Sequence, residues 1–141
     1  MAAELSPDVV EFLSTGTRTG KLGWVAADGR PLVAPVWFVV EGGELVFNTG
    51  ADTPKGKAIA RDPRLVLTVD LEEPPFAFVQ VQGLASVVTD PDELVRVATL
   101  IGGRYMGADR AEAYGERNGV PGEYLIRVTP DRITGFRDLA D

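Results

Sequence analysis

Short β-patterned runs recur along this chain with few residues between them, and a chain built this way has many strand edges to hide. Lys21 to Ala26 leads into Ala27-Asp28-Gly29-Arg30, where Asp-Gly is a strong hairpin signal, and Leu32 to Val40 is the returning partner. The near-continuous apolar character of 32–40 predicts a strand buried on both faces. Glu41-Gly42-Gly43-Glu44 turns the chain into Leu45 to Thr49, so these three runs read as an antiparallel meander. Arg64 to Asp70 alternates and is β-branched. Phe76 to Val88 is a long strand with Gly83 as a bend or bulge, and Tyr124 to Thr129 with Arg132 to Phe136 reads as a closing hairpin. Six or seven antiparallel strands in a chain of 141 residues predict a mainly β (α+β) fold, a small closed barrel with short helices laid on it.

The helical signals fall between the strands. Ser6 can cap a helix that Pro7 and Asp8 open, running to about Gly16. Lys55 to Arg61 predicts a short helix ending before Asp62-Pro63. Asp90-Pro91-Asp92-Glu93 opens another through Leu94, Val97, Ala98 and Ile101 to Gly102-Gly103, with a second piece around Ala108 to Glu116. There is no repeat, low-complexity tract or linker, so residues 1–141 read as one domain.

Two zero counts narrow the chemistry. With no cysteine and no histidine there are no disulfides, no Ser-His-Asp or Cys-His machinery, and no His- or Cys-ligated metal or haem. No carboxylate pair is spaced as in a glycosidase or metal site, so no metal is expected. Chemistry must then come from Lys, Arg, Tyr, carboxylates, backbone groups or a bound cofactor. A net charge of −7 argues against nucleic acid as a partner. No stretch approaches the roughly 20 apolar residues that cross a bilayer. The N-terminus, Met1-Ala2-Ala3-Glu4, lacks the regions of a signal peptide, so a cytoplasmic protein is expected.

The densest chemical signal is the segment Thr49-Gly50-Ala51-Asp52-Thr53-Pro54-Lys55-Gly56-Lys57, continuing to Arg61. A strand ends in a hydroxyl- and glycine-bearing loop, and a helix then opens with two lysines. Lysine at a helix start is unfavourable for the dipole unless an anion is present, so the segment reads as a phosphate cradle. The alternative is an ordinary solvated helix; the Walker spacing is absent. In Pro35-Val36-Trp37-Phe38, a proline inside a strand withholds a donor and can leave backbone groups facing a flat ligand beside the indole. The alternative there is that Trp37 and Phe38 are core. Gln80 and Gln82 share one face of the long strand, which implies solvent or a polar ligand edge. Arg104-Tyr105 is placed to reach an anionic group or to lie on the surface.

Taken in order, Asp28-Gly29-Arg30-Pro31, Pro35-Val36-Trp37-Phe38, Asn48-Thr49-Gly50, Lys55-Gly56-Lys57, Arg61-Asp62-Pro63-Arg64 and Gln80-Val81-Gln82-Gly83 resemble the pyridoxamine-phosphate-oxidase-like split β-barrel superfamily. Within it they look most like the flavin/deazaflavin oxidoreductases that use coenzyme F-420. The likeness runs from about Ser6 to Phe136, and Lys-x-Lys-x3-Arg-Asp-Pro-Arg is its most specific piece. It implies a split-barrel homodimer with cofactor sites at the subunit interface. It also implies that Lys55 and Lys57 hold the cofactor phosphate, with Asn48, Thr49, Thr53 and Arg61 around them. Pro35, Val36 and Trp37 would line the ring, and Gln80 and Gln82 would join the same site. The implied activity is hydride transfer between reduced F-420 and a small organic acceptor. The alternatives are an FMN-dependent oxidoreductase, a non-catalytic flavin, deazaflavin or haem carrier, and a structural dimer without ligand. Quinones, unsaturated lactones, tetrapyrroles and nitro compounds all suit such a site, and the residues do not choose among them.

Overall fold

A computed structural model describes residues 3–137 and 139; Met1 and Ala2, at the head of the segment read for a signal peptide, lie outside them. Seven strands, β1 (Gly20–Val25), β2 (Pro31–Val36), β3 (Val39–Glu41), β4 (Glu44–Gly50), β5 (Arg64–Leu71), β6 (Ala77–Val88) and β7 (Glu123–Phe136), form one sheet in the order β2-β1-β5-β6-β7-β4-β3. Every pairing is antiparallel. The two edge strands, β2 and β3, are consecutive in the chain with only Trp37 and Phe38 between them. Laid flat, the sheet would separate its edges by six strand spacings, about 29 Å. The chain from Val36 to Val39 reaches at most about 11 Å. The sheet must therefore curl until its edges meet. It is a split barrel, joined at the seam by the crossing chain, with no β2–β3 ladder among the described residues.

Two expectations are corrected here. Leu32 to Val40 is not one strand buried on both faces. It kinks at Trp37-Phe38; its first half pairs with β1 and its second with β4, so β1–β2 and β3–β4 are separate hairpins and not a meander. Leu32 and Val33 are 40% and 68% exposed. The strand covered on both faces is β4, whose Leu45 and Phe47 enter the barrel while Val46 faces outward under a helix, all fully buried. The second correction concerns 124–136, which is a single strand and not a hairpin. Both halves continue along β6, and the Pro130-Asp131 pair that suggested a turn is a bulge opposite Gly83 and Gln82.

Four α-helices among the described residues complete the fold: α1 (Pro7–Ser14), α2 (Pro54–Arg61), α3 (Pro91–Met106) and α4 (Ala111–Asn118). The Ser6 hydroxyl accepts from the Val9 amide at 3.2 Å, as a helix cap should. Helix α3 runs through Gly102-Gly103 where a stop was expected. A side chain at Gly102 would lie 2.5 Å from the Tyr114 Cβ, so this glycine lets α4 approach and does not end the helix. Leu13 of α1 and Ile59 of α2 enter the barrel core beside Leu22, Phe38, Phe47, Leu67 and Val81. Helix α3 lies outside and buries Leu94, Val97 and Ile101 against Val46 and Leu125. No helix among the described residues is long and apolar enough to cross a membrane.

The seam leaves Phe38 without ladder partners while burying its side chain completely. Its backbone is satisfied from α3. The Phe38 amide donates to the Tyr105 hydroxyl at 3.2 Å, and its carbonyl accepts from Arg104 Nη1 at 2.7 Å. Arg104 also donates to the carbonyls of Leu13 at 2.7 Å and Gly16 at 3.0 Å, and Tyr105 donates to that of Arg18 at 2.9 Å. Removing this guanidinium strands several part-buried carbonyls at once. Arg104→Leu should therefore cost about 2–4 kcal/mol in urea unfolding, and Tyr105→Phe about 1–2 kcal/mol, with m unchanged.

Candidate functional site

The site is built on the outer face of β2, β1, β5 and β6. Strand alternation and register put two rows of side chains across these four strands. One row is Val33, Gly23, Val66 and Gln82; the next is Pro35, Lys21, Thr68 and Gln80. Gly23 makes the first row concave, since a side chain there would meet Val66 Cγ1 at 2.8 Å. The resulting depression is about 470 Å³ and is bordered by Gly23, Trp24, Leu32, Arg64, Val66, Gln80 and Gln82. A second concavity of about 280 Å³ adjoins it at Trp24 and Leu32 and is bordered by Asp52, Lys57 and Arg61. Apolar wall and amides thus lie at one end and cations at the other.

Helix α2 supplies those cations. Thr53 caps it: the hydroxyl accepts from the Gly56 amide at 3.0 Å and donates to the Gly50 carbonyl at 2.7 Å. Gly56 packs so closely on the Gly50 carbonyl that only glycine fits. Lys57 and Arg61, one turn apart, are exposed and make no ion pair among the described residues. Lys55 behaves differently. It is part-buried, with Nζ 5.9 Å from the centre of the Trp24 ring. Burial pushes its ammonium below the ordinary lysine value, and the attraction of Glu123 opposes that shift. Glu123 opens β7 opposite Gly50 and accepts from Asn48 Nδ2 at 2.9 Å.

The structure brings together only part of the expected set. Pro35, Gln80 and Gln82 share the outer face, with Lys57 and Arg61 at its rim. Val36 points inward and is buried. Thr49 is buried, and the Thr53 hydroxyl is occupied at both its donor and its acceptor. Asn48 is committed to Glu123. Trp37 lies just past the end of β2, four residues or about 13 Å along the chain from the Val33 row, and stacks on Tyr105 with ring centres 5.0 Å apart. Phe38 is core. Arg104 and Tyr105 are engaged by the seam carbonyls instead of reaching an anion. Sequence reasoning missed Trp24 and Leu32, the shared wall of both concavities, which the Asp28-Gly29 hairpin sets opposite each other. It also missed Gly23 and Glu123, which carry no local motif.

The description pyridoxamine 5′-phosphate oxidase belongs to the family matched over residues 5–137. The sequence matches no curated protein. Among solved structures, a conserved hypothetical protein from Mycobacterium tuberculosis superposes with TM-score 0.82 at 23% identity, over 99% of this chain and 90% of that one. An F-420 reductase superposes with TM-score 0.70 at 26% identity, over 92% of this chain and 98% of that one. A haem storage protein from Vibrio cholerae gives 0.70 at 18% identity, over 94% of each chain. The same architecture therefore holds proteins named for different ligands.

The hydrogen bonding separates framework residues from those free for a ligand. Thr53→Ala should lower stability by about 1 kcal/mol through the lost cap. Lys57→Ala should stay within about 0.5 kcal/mol of the parent. Urea unfolding of both variants checks the division; a large loss at Lys57 would make it a framework residue.

Proposed function

The chain belongs to the pyridoxamine 5′-phosphate oxidase family, and from that premise we propose that it is an oxidoreductase binding a flavin-type cofactor, the deazaflavin coenzyme F-420, at the outer-barrel site of a homodimer. The observation that carries this reading is the pair of adjoining concavities that share Trp24 and Leu32. A flat amphipathic ring with a phosphate suits a groove with apolar wall and amides at one end and, at the other, cations that make no ion pair among the described residues. The cofactor, when bound, supplies hydride chemistry.

The chain's own residues bind and orient. Lys57 and Arg61, with Lys55 behind them, neutralise the phosphate through charge-assisted contacts. The amides of Gln80 and Gln82 offer donors and acceptors to a ring edge, and Val66, beside the gap at Gly23, excludes water from its face. FMN is the second reading, because the cations and amides also suit its phosphate and ring, and the preference for F-420 rests on the family likeness alone. Haem finds no histidine or cysteine in this chain to ligate its iron.

The homodimer reading rests on the apolar rim. Leu32 and Val33 on edge strand β2 and Leu84 on β6 are exposed beside the groove, and a second copy covering them would complete the site's outer wall. Sedimentation at micromolar concentration should give a dimer, and Val33→Glu should shift it toward monomer. A stable monomer of the parent protein would overturn the interfacial site.

Calorimetric titration tests the cofactor. F-420 should bind more tightly than FMN. Lys57→Ala and Lys55→Ala should each weaken binding roughly ten- to hundredfold, less so at high salt. Tight FMN binding with no measurable F-420 binding would select the second reading, and parent-like affinity in both variants would remove the cradle from α2.

A further inference from the structure

We propose that the outer face carries a second ligand site beyond the glutamine amides, taking an uncharged, flat, carbonyl-bearing molecule whose oxygen Lys21 holds. Past the row of Lys21, Thr68 and Gln80, strand register places Asp70 opposite Phe78 on the same face. A concavity of about 470 Å³ opens there, bordered by Lys21, Thr68, Asp70, Phe76, Phe78 and Leu139. Thr68 pairs with Gln80, which borders the cofactor groove, so the two depressions meet at that row. The second one lies at the end of the face away from the exposed Leu84, which stands six residues along β6 from Phe78, about 20 Å. Its role as the acceptor site of a reductase rests on the cofactor proposal; the binding itself does not.

The walls set the shape and polarity of the ligand. The Phe76 ring is 39% exposed although its backbone holds φ at 58°, a conformation unfavourable for a bulky side chain. Two hydrogen bonds fix that turn: the Phe76 amide donates to the Glu73 carbonyl at 2.8 Å, and the Phe76 carbonyl accepts from the Leu139 amide at 3.1 Å. An aromatic side chain kept exposed on a strained turn, in one wall with Phe78 and Leu139, suits a flat apolar body. The polar edge is Lys21. Its ammonium has three N–H groups and finds two acceptors among the described residues, Asp70 Oδ1 at 2.8 Å and the Thr19 carbonyl at 3.4 Å. The third N–H suits an oxygen on the ligand. Asp70 offsets the charge of Lys21, and Glu72 and Glu73, with Arg18, border the far side of the pair. A carboxylate gains little from a neutralised lysine and is opposed by these acids, whereas a carbonyl oxygen accepts the N–H without that penalty. Uncharged quinones and lactones therefore match this edge, and tetrapyrroles bearing carboxylates do not.

Three bicyclic probes of similar size test the site by equilibrium dialysis of the full chain without cofactor: chromone, naphthalene and 2-naphthoate. The parent should bind chromone most tightly. Lys21→Met should weaken chromone about tenfold and leave naphthalene unchanged. Lys21→Gln should show the same selective loss, less steeply, and stands in if Lys21→Met folds poorly. Asp70→Asn, which frees the lysine charge, should raise 2-naphthoate affinity about fivefold, an effect that a purely structural ion pair would not give. Phe78→Ala should weaken all three alike. Equal parent affinity for chromone and naphthalene, tighter binding of 2-naphthoate than of chromone, or an equal loss of all three probes in Lys21→Met would overturn the proposal. Titration with F-420 separates the two failures. If F-420 binds and the chromone preference is missing, only the second site falls. If the preference is present and F-420 does not bind, the ligand site stands and its role as an acceptor site falls with the cofactor proposal.

Discussion

Two residues carry the chain from one edge of a seven-strand sheet to the other. Because Val36 and Val39 cannot be further apart than three backbone steps, β2 and β3 must come together, and only a curled sheet allows that. The price of the crossing is a backbone with no ladder at Phe38, and the remedy is Arg104 and Tyr105 reaching down from α3. The Phe38 side chain then fills the barrel interior. Closure, core and the seat of α3 are one interaction seen from three sides. Arg104 extends it to α1 through Leu13 and Gly16, so the helix inside one barrel mouth is tied to the same point.

Closing the barrel at this seam decides where a ligand can go. The interior is filled by Leu22, Phe47, Leu67, Val81 and the side chains that α1 and α2 insert, which leaves the outer face of β2, β1, β5 and β6 as the open surface. Helix α2 serves two ends. Its Ile59 enters the core while Lys57 and Arg61, on the other side of the helix, stand at the rim of the groove. A helix that anchors itself by an apolar residue presents its charged residues at a fixed position, which a free loop would not.

Much of the framework was legible because it is written in local signals. The Ser6 and Asp90 caps and the Asp28-Gly29 and Gly42-Gly43 turns act within a few residues and appear where local physics puts them, and the register breaks beside Gly83, with the extra residue, Asp131, on the facing strand. The errors fall where local signals were ambiguous. An apolar run such as 32–40 looks the same whether it is buried on two faces or kinked at a seam, and Pro130-Asp131 suits a turn or a bulge equally. Of the site, the basic cluster on α2 and the paired glutamines were visible as local departures from expectation. The hydroxyls of Thr49 and Thr53 looked equally available, yet one is buried and the other is spent on a helix cap.

What the sequence determined by itself is therefore the set of elements, the absence of histidine and cysteine chemistry, and the family likeness. Those follow from residue type and short spacing. What only the tertiary structure decided is which residues face each other: Gly23 against Val66, Trp24 against Leu32, Glu123 against Gly50, and Arg104 against the Phe38 carbonyl. Each of those meetings depends on strand order and register, and a one-residue slip would turn every side chain to the opposite face. The order in turn depends on where a nine-residue apolar run bends. That bend is set by long-range closure, and no window of sequence shorter than the barrel contains it.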